Sequence, residues 1–420
     1  MTTRRIPTYL AVTAAAVVLV TGCTRGATGG PAGTAVGGTA AASLATPSMT
    51  WSPTFKGYDP PTKFSQGKES APLPEDARTA DVLLDGTIYY IASNYGLEAD
   101  ALYGHKMAGI ANSTHGGNLH SPPVLAQAGG QRVVLTAVRM VIQGQGTSVD
   151  RTAVELVALS TSKGSDSWTV PIDLPQDYTG IRSLTVLGVR GTTAVIAGAD
   201  ANHGLVWAVD LAAKKVLWTQ KGFTGAQLSD DQVVGLVSPE YTKHQVSALK
   251  IADGSTAWTA EQTYDLLDAT LTPAGPSRVA LQGSSFTGFK SNAWILDSTT
   301  GKQLFDFSGG STPFTCTYDE RSVTVCADKD IAFAFDTASG KTLWRLPDDA
   351  KTRIAPRVTT AWHGVVYGTT SRGPVALNAV TGQDLPSPPT LAPLLVNTYM
   401  SIGSRDTDGT ALSVYPAVGF

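Results

Sequence analysis

The sequence predicts an all-β fold, an eight-bladed β-propeller with seven blades as the alternative, on three observations. One segment recurs in a fixed frame, β-rich runs of similar spacing precede its copies, and glycine-bearing turns punctuate them. The clearest copy is Ala334-Phe335-Asp336-Thr337-Ala338-Ser339-Gly340-Lys341-Thr342-Leu343-Trp344. Alanine, then glycine at the sixth position on and tryptophan at the tenth, recur at Ala158/Gly164/Trp168 and Ala248/Gly254/Trp258. With one or two substitutions the frame also fits Ala208/Lys214/Trp218, Ile295/Gly301/Phe305 and Ala376/Gly382/Pro386. The anchors from Ala158 to Ala376 span a mean period of about 44 residues, a blade-length repeat.

Each copy carries an apolar, alternating run on either side of its glycine, the pattern of two strands joined by a tight turn that needs φ > 0. Upstream β-rich runs lie at Thr87 to Ala92, Arg132 to Val138, Thr193 to Ala197, Gln232 to Val237, Arg278 to Leu281, Ser322 to Cys326, Gly364 to Tyr367 and Thr398 to Ile402. Those eight runs predict eight blades, and the chain beyond the N-terminal segment divided by the period gives roughly 8.4. The last blade is short, so a strand from the region Pro60 to Leu73 is expected to complete it and close the ring, which removes exposed edges.

Composition agrees with a many-stranded fold. Charged residues are 15% of the 420 residues, against a usual ~25%, and Gly, Thr, Ser and Ala are abundant. The formal net charge is −3. Removing the first 22 residues takes away Arg4 and Arg5 and leaves about −5, a balance that excludes nucleic acid as a partner.

The N-terminal 23 residues predict the compartment. Arg4 and Arg5 precede an apolar run from Tyr9 to Val20, too short to span a bilayer, which needs ~20 apolar residues. The run ends in Val20-Thr21-Gly22-Cys23, which resembles the bacterial lipobox. Residues 1–22 are therefore expected to be a lipoprotein signal peptide and Cys23 the acylated mature N-terminus, with the protein anchored on the outer side of a membrane. Residues 23–53, rich in Gly, Ala, Thr, Ser and Pro, read as a flexible tether, and 54–420 as the propeller.

The alanine, aspartate, glycine, lysine and tryptophan at this spacing resemble the repeat of the pyrroloquinoline-quinone propellers, shared by quinoprotein dehydrogenases and the propeller lipoprotein of the outer-membrane β-barrel assembly machinery. The resemblance covers residues 80 to 420. It implies that Trp168, Trp218, Trp258, Phe305 and Trp344 dock one blade on the next, as burial of an indole with a bonded N–H also favours. It raises as well the possibility of a dehydrogenase using the quinone with calcium. The alcohol-type enzymes of that family commonly carry adjacent cysteines beside the cofactor, and this chain, whose cysteines are Cys23, Cys316 and Cys326, has no adjacent pair.

In an oxidising compartment Cys316 and Cys326 form an even pair flanking a turn-like stretch, so a cross-strand disulfide is predicted, with a redox or metal role as the rival. The histidines show no zinc-ligand spacing, and no Gly-x-Ser-x-Gly elbow or phosphate-binding loop occurs. No metal, catalytic residue or cofactor is expected.

Loop lengths add a positional expectation. The a-to-b turns read as short, whereas the d-to-a and b-to-c connections, on the other face, read as long at Ile110 to Pro122, Val141 to Arg151, Pro171 to Ile181, Glu261 to Asp268 and Gly283 to Ser291. Insertions on one face of a repeat array mark its working surface. His115, His120, Tyr178, His203, Tyr241, His244 and Tyr264 are expected there as a candidate binding face. The function read from the sequence is a monomeric scaffold that binds a protein or ligand without a cofactor; the alternatives are the quinone-dependent dehydrogenase and a glycan-binding sensory module.

Overall fold

The computed structural model describes residues 56–66, 70–102, 107–128, 130–178, 180–200, 203–285, 291–308, 313–406 and 411–418. The expected signal peptide, Cys23 and the tether lie outside these residues. Eight antiparallel sheets form a ring. Blade 1 contains strands a to d at Val82–Asp85, Ile88–Ser93, Gly96–Ala101 and Met107–Asn112, each paired with the next. Blades 2 to 6 repeat this meander over 119–173, 183–221, 223–265, 267–306 and 315–346, blade 7 covers 357–378, and blade 8 covers 395–416.

The eight predicted runs fall on, or within two residues of, the eight b strands, among them Gln131–Ile142, Thr193–Ala199, Gln232–Glu240 and Met400–Ser404. The ring closes through the N-terminal segment. Ala71–Pro72 is the outermost strand of blade 8, with Ala71 opposite Val414, and Phe64 bridges to Ala417. The expected strand from Pro60 to Leu73 is thus present, so the first and last parts of the chain share one sheet.

The apolar core is a series of seams between blades rather than one centre. Val134, Val138, Val157 and Leu159 pack on Tyr90 and Leu97 of blade 1, while Leu135, Leu156 and Ala158 on the other face of the same sheet pack on Ile196 and Trp207 of blade 3. Both faces of a blade are covered, so its b and c strands are buried almost without interruption, as in Ala153 to Ser160. Ala71, Val414, Tyr89 and Ile91 make the seam between blades 8 and 1.

The repeat frame links adjacent blades. Asp336 accepts the amide of Ser339 at 2.7 Å, and Gly340, at φ 73°, donates its amide to the Asp336 carbonyl at 2.8 Å. This Asx-type turn brings a left-handed glycine to the rim of the blade, where the aromatic of the preceding blade packs against it. Trp218 packs on Gly254, Trp258 on Gly301, Phe305 on Gly340 and Trp344 on Gly382. The Trp218 and Trp344 indoles donate to the Ile251 and Ala379 carbonyls of the next blade, at 2.8 and 2.7 Å. In blade 3 the turn residue is Lys214, at φ 52°, whose ammonium lies 5.4 Å from the Trp168 ring. Gly109 takes the aromatic position in blade 1, paired with Ala99, and a Cβ there would meet Gly164 at 2.7 Å. In that seam backbone therefore rests on backbone.

Proline interrupts the ladder in two places. The inner strand of blade 2 is split into Leu119–His120 and Val124–Ala128 around Pro122-Pro123, which cannot donate to it. In blade 7 only the isolated bridge Leu377 to Asp384 stands where a fourth strand would run, and Pro386, Pro388 and Pro389 follow. Pro386, the last aromatic position of the frame, is exposed and docks nothing.

Candidate binding face

The a-to-b turns are short, as at Asp230-Asp231 and His363-Gly364, and the chain also enters the ring on their face. Tyr58 donates its amide to Thr398, the Tyr367 hydroxyl donates to the Pro61 carbonyl at 2.6 Å, and Asp59 pairs with Arg321 and His363. Longer connections gather on the opposite face, at 143–150, 174–182 and 347–356. The asymmetry is not uniform. The expected long connection from Glu261 to Asp268 is mostly strand: Thr256–Asp265 and Leu267–Pro273 are separated by Leu266 alone, because the outer strand of blade 4 continues to the top of its sheet.

Three of the expected contact residues are buried within that face. Tyr178 donates its hydroxyl to the Gly204 carbonyl at 3.1 Å and receives the Gly222 amide, tying the 174–182 connection to blade 3. His244 lies between Ser238 Oγ at 2.8 Å and the Leu266 carbonyl at 3.1 Å. Burial holds its imidazole below the ordinary value, against the Leu266 carbonyl and Asp265, which favour the charged form. Tyr264 is buried against Trp294, with ring centroids 4.9 Å apart, and burial raises its phenol pKa. Alternation along the strand turns His244 and Tyr264 into the seams, and its own hydrogen bonds draw Tyr178 down from the connection, which the loop reading had not anticipated.

His120 is also a seam residue. Its Nε2 lies 3.1 Å from Asp81 Oδ1 and its Nδ1 3.0 Å from Asn94 Oδ1, joining blades 1 and 2. Burial alone would raise the Asp81 carboxyl, but the Arg78 guanidinium and amide, together with His120, outweigh it and hold that carboxyl below the usual range.

His115, His203 and Tyr241 reach solvent. His203 donates its amide to Asp200 Oδ1 at 2.7 Å beside a cleft of about 560 Å³ across the ends of blades 3 to 5, which Tyr241, Glu240 and Asp268 also line. His115 borders a second cleft, about 360 Å³, with Tyr95, Arg139 and Val141. Below it the buried Glu155 accepts from Ser113 Oγ and from the amide and hydroxyl of Thr114, at 2.7 to 2.8 Å, and so fixes the loop.

A further feature of this face, which the sequence reading touched only at Tyr241, is apolar. Tyr95 (71% exposed), Val149 (85%), Tyr241 (79%) and Ile354 (59%) all stand on b-to-c or d-to-a connections of this face. On the other face Val380 is the large apolar side chain left exposed among the described residues. Each sits in polar or small-residue surroundings, as in Asn94-Tyr95-Gly96 and Ser148-Val149-Asp150. A large apolar residue inside a turn sequence was the available signal.

The described residues do not fit a quinone and calcium centre of the cysteine-pair kind. Among them no three His, Cys, Asp or Glu side chains gather as a metal site requires. Cys316 and Cys326 are joined across the inner two strands of blade 6, with Cα atoms 4.0 Å apart, and Cys326 is fully buried.

Residues 70–260 match the PQQ_2 family model of the outer membrane protein assembly factor BamB. No curated protein matches the chain. Among solved structures it is similar to Sqt1 of Saccharomyces cerevisiae, at 12% identity over 87% of this chain and 98% of that one with a TM-score of 0.47. It is similar also to the Dos1 propeller, at 11% identity over 85% and 94% with a TM-score of 0.45. The dihydro-heme d1 dehydrogenase NirN resembles it at 15% identity over 79% and 67%, with a TM-score of 0.43. The repeat frame, the ring of eight blades and the match over residues 70–260 make this chain a β-propeller of PQQ-like repeats.

Proposed function

We propose that the protein is an extracytoplasmic scaffold, tethered through a lipid on Cys23, that holds a protein partner on its long-connection face without a quinone cofactor. The observation that carries this reading is the concentration of Tyr95, Val149, Tyr241 and Ile354 at connection tips of one face, beside clefts that polar side chains line. Exposed aromatic and aliphatic side chains ringed by polar groups are the usual composition of a contact surface, and scattered over separate blades they suit a broad partner better than a small molecule. Entry of the chain on the opposite face supports the same arrangement, because an anchor there leaves the contact face unobstructed.

The test is photo-crosslinking in the cell of origin, with a benzophenone amino acid placed at Tyr95, Val149 or Tyr241, and at Val380 as the opposite-face control. A discrete adduct from the first three positions and none from Val380 is expected. Equal adducts from both faces, or stoichiometric quinone uptake with substrate-dependent dye reduction, would replace this reading. Cys23→Ser is expected to move the protein from the membrane fraction to the soluble fraction.

A further inference from the structure

The b strand of blade 4 is interrupted where it meets the c strand. Val237 stands opposite Gln245 and Glu240 opposite Lys243, so Ser238 and Pro239 together face the single residue His244. Pro239 brings no N–H to the ladder, and two residues against one is the geometry of a β-bulge, which re-aims a side chain. Here it turns Ser238 Oγ onto His244 Nδ1, at 2.8 Å. The other imidazole nitrogen, Nε2, lies 3.1 Å from the Leu266 carbonyl. A carbonyl oxygen only accepts, so Nε2 carries the imidazole proton, Nδ1 is left as the acceptor, and the Ser238 hydroxyl donates to it.

Both side chains line the cleft of about 560 Å³ across the ends of blades 3 to 5. Ser238 is exposed, whereas His244 is buried and held at both nitrogens. Burial keeps the imidazole below its ordinary value and therefore unprotonated at neutral pH, while the Leu266 carbonyl and Asp265 favour the charged form once a proton has arrived. A hydroxyl bonded to a base that a third group orients is the arrangement of an activated nucleophile. The Thr224 hydroxyl and the His203 imidazole line the same cleft as further donors. Asp200, Glu240 and Asp268 line it too, and no lysine or arginine does so among the described residues, so its field opposes an anionic substrate.

We infer that this cleft is a site of acyl transfer in which Ser238 is the nucleophile and His244 its general base, acting on short carboxylic esters that carry no anionic group. Ser238 Oγ forms a bond to the ester carbonyl carbon as its proton passes to His244 Nδ1. The adduct collapses, the C–O bond to the leaving alcohol breaks, and Nδ1 gives the proton to the alcohol oxygen. Water then repeats the route. Its proton goes to Nδ1, its oxygen adds to the acyl carbon, and Ser238 Oγ leaves and recovers a proton, so that ester and water become acid and alcohol. No Gly-x-Ser-x-Gly motif announces the pair, because a bulge rather than an elbow presents the serine. The chemistry does not depend on partner contacts at Tyr95 or Val149, so it and the face-binding reading fail separately.

The test treats the intact protein with a fluorescent fluorophosphonate, followed by peptide mapping, and compares p-nitrophenyl acetate with p-nitrophenyl hemisuccinate as neutral and anionic esters at neutral pH. Labelling at Ser238 is expected. Acetate hydrolysis should be at least about tenfold faster than hemisuccinate hydrolysis, and at least about tenfold faster than in Ser238→Ala, a substitution at an exposed position that should leave the melting temperature unchanged. Ser238→Cys reads the pairing with His244 separately: its thiol should react with iodoacetamide near pH ~6.5 about tenfold faster than in the Ser238→Cys/His244→Gln double variant, a difference that a structural histidine would not produce. Should the double variant unfold, the Ser238→Ala comparison decides alone. Labelling elsewhere or nowhere, an acetate rate unchanged in Ser238→Ala, equal rates for the two esters, or a thiol indifferent to His244 would overturn the proposal.

Discussion

Gly382→Ala isolates the contact by which one blade docks on the next. Gly382 has φ 69°, and a Cβ there would lie 2.7 Å from Cγ and 2.8 Å from Cδ2 of Trp344. The substitution adds two costs. A side chain in the left-handed region costs roughly 1–2 kcal/mol, and overpacking a filled seam typically costs about 1–3 kcal/mol more. The indole cannot withdraw easily, because its N–H is held by the Ala379 carbonyl at 2.7 Å in a buried position. Gly364, at φ 87° with nothing within 4 Å of an added Cβ, should show the backbone cost alone. Urea unfolding followed by tryptophan fluorescence and far-ultraviolet circular dichroism compares the two midpoints at a common slope. The expected loss is about 2–5 kcal/mol for Gly382→Ala against roughly 1–2 kcal/mol for Gly364→Ala. In a Trp344→Leu background the penalty at Gly382 should fall to the backbone part. An equal penalty at both glycines, or one that persists without the indole, would refute the docking account.

Three further expectations follow from other parts of the ring. Lys214→Gly relieves roughly 1–2 kcal/mol of left-handed backbone and forfeits about 0.5–1 kcal/mol of cation–π contact with Trp168, so a modest gain in the unfolding midpoint is expected. Asp81 has a folded-state pKa below its unfolded value, so its contribution is fully present above pH ~4 and is lost as pH falls through the folded value. Asp81→Asn should therefore cost about 1–3 kcal/mol in urea unfolding at neutral pH and progressively less in acid, whereas a pH-independent penalty would contradict the charge argument. Removing the Cys316 to Cys326 link by a double serine substitution should lower stability by about 2.7 kcal/mol in the chain-entropy account, measured against the wild type with and without reductant.

The ring was legible in the sequence because its determinants are local. The turn at Asp336 to Gly340 needs an Asx acceptor and a left-handed residue at fixed spacing, and the aromatic at Trp344 needs a flat partner on the next blade, so each copy carries its own signature. Blade 7 marks the limit of that reading. Its frame at Ala376 and Gly382 survives, yet Pro386 replaces the aromatic and the strand that should follow is lost. The frame locates a blade without saying whether all four of its strands exist. Likewise Lys214 fits the frame as a single mismatch, and only its φ and its place over Trp168 show that it substitutes for glycine in both roles.

The binding face was less legible because solvent access depends on which way a strand end turns. Tyr178, His244 and Tyr264 belong to the expected face, but hydrogen bonds to blade 3 take Tyr178 inward from its connection, and strand alternation takes His244 onto Ser238 and Leu266 and Tyr264 onto Trp294. Tyr241, three positions before His244, stands on the turn itself and faces solvent. Residue type alone does not separate these cases, since tyrosine and histidine serve equally as struts and as contacts. What lies against the side chain separates them: Tyr178 is bonded down onto blade 3, His244 and Tyr264 face a seam, and Tyr241 at the turn is left exposed.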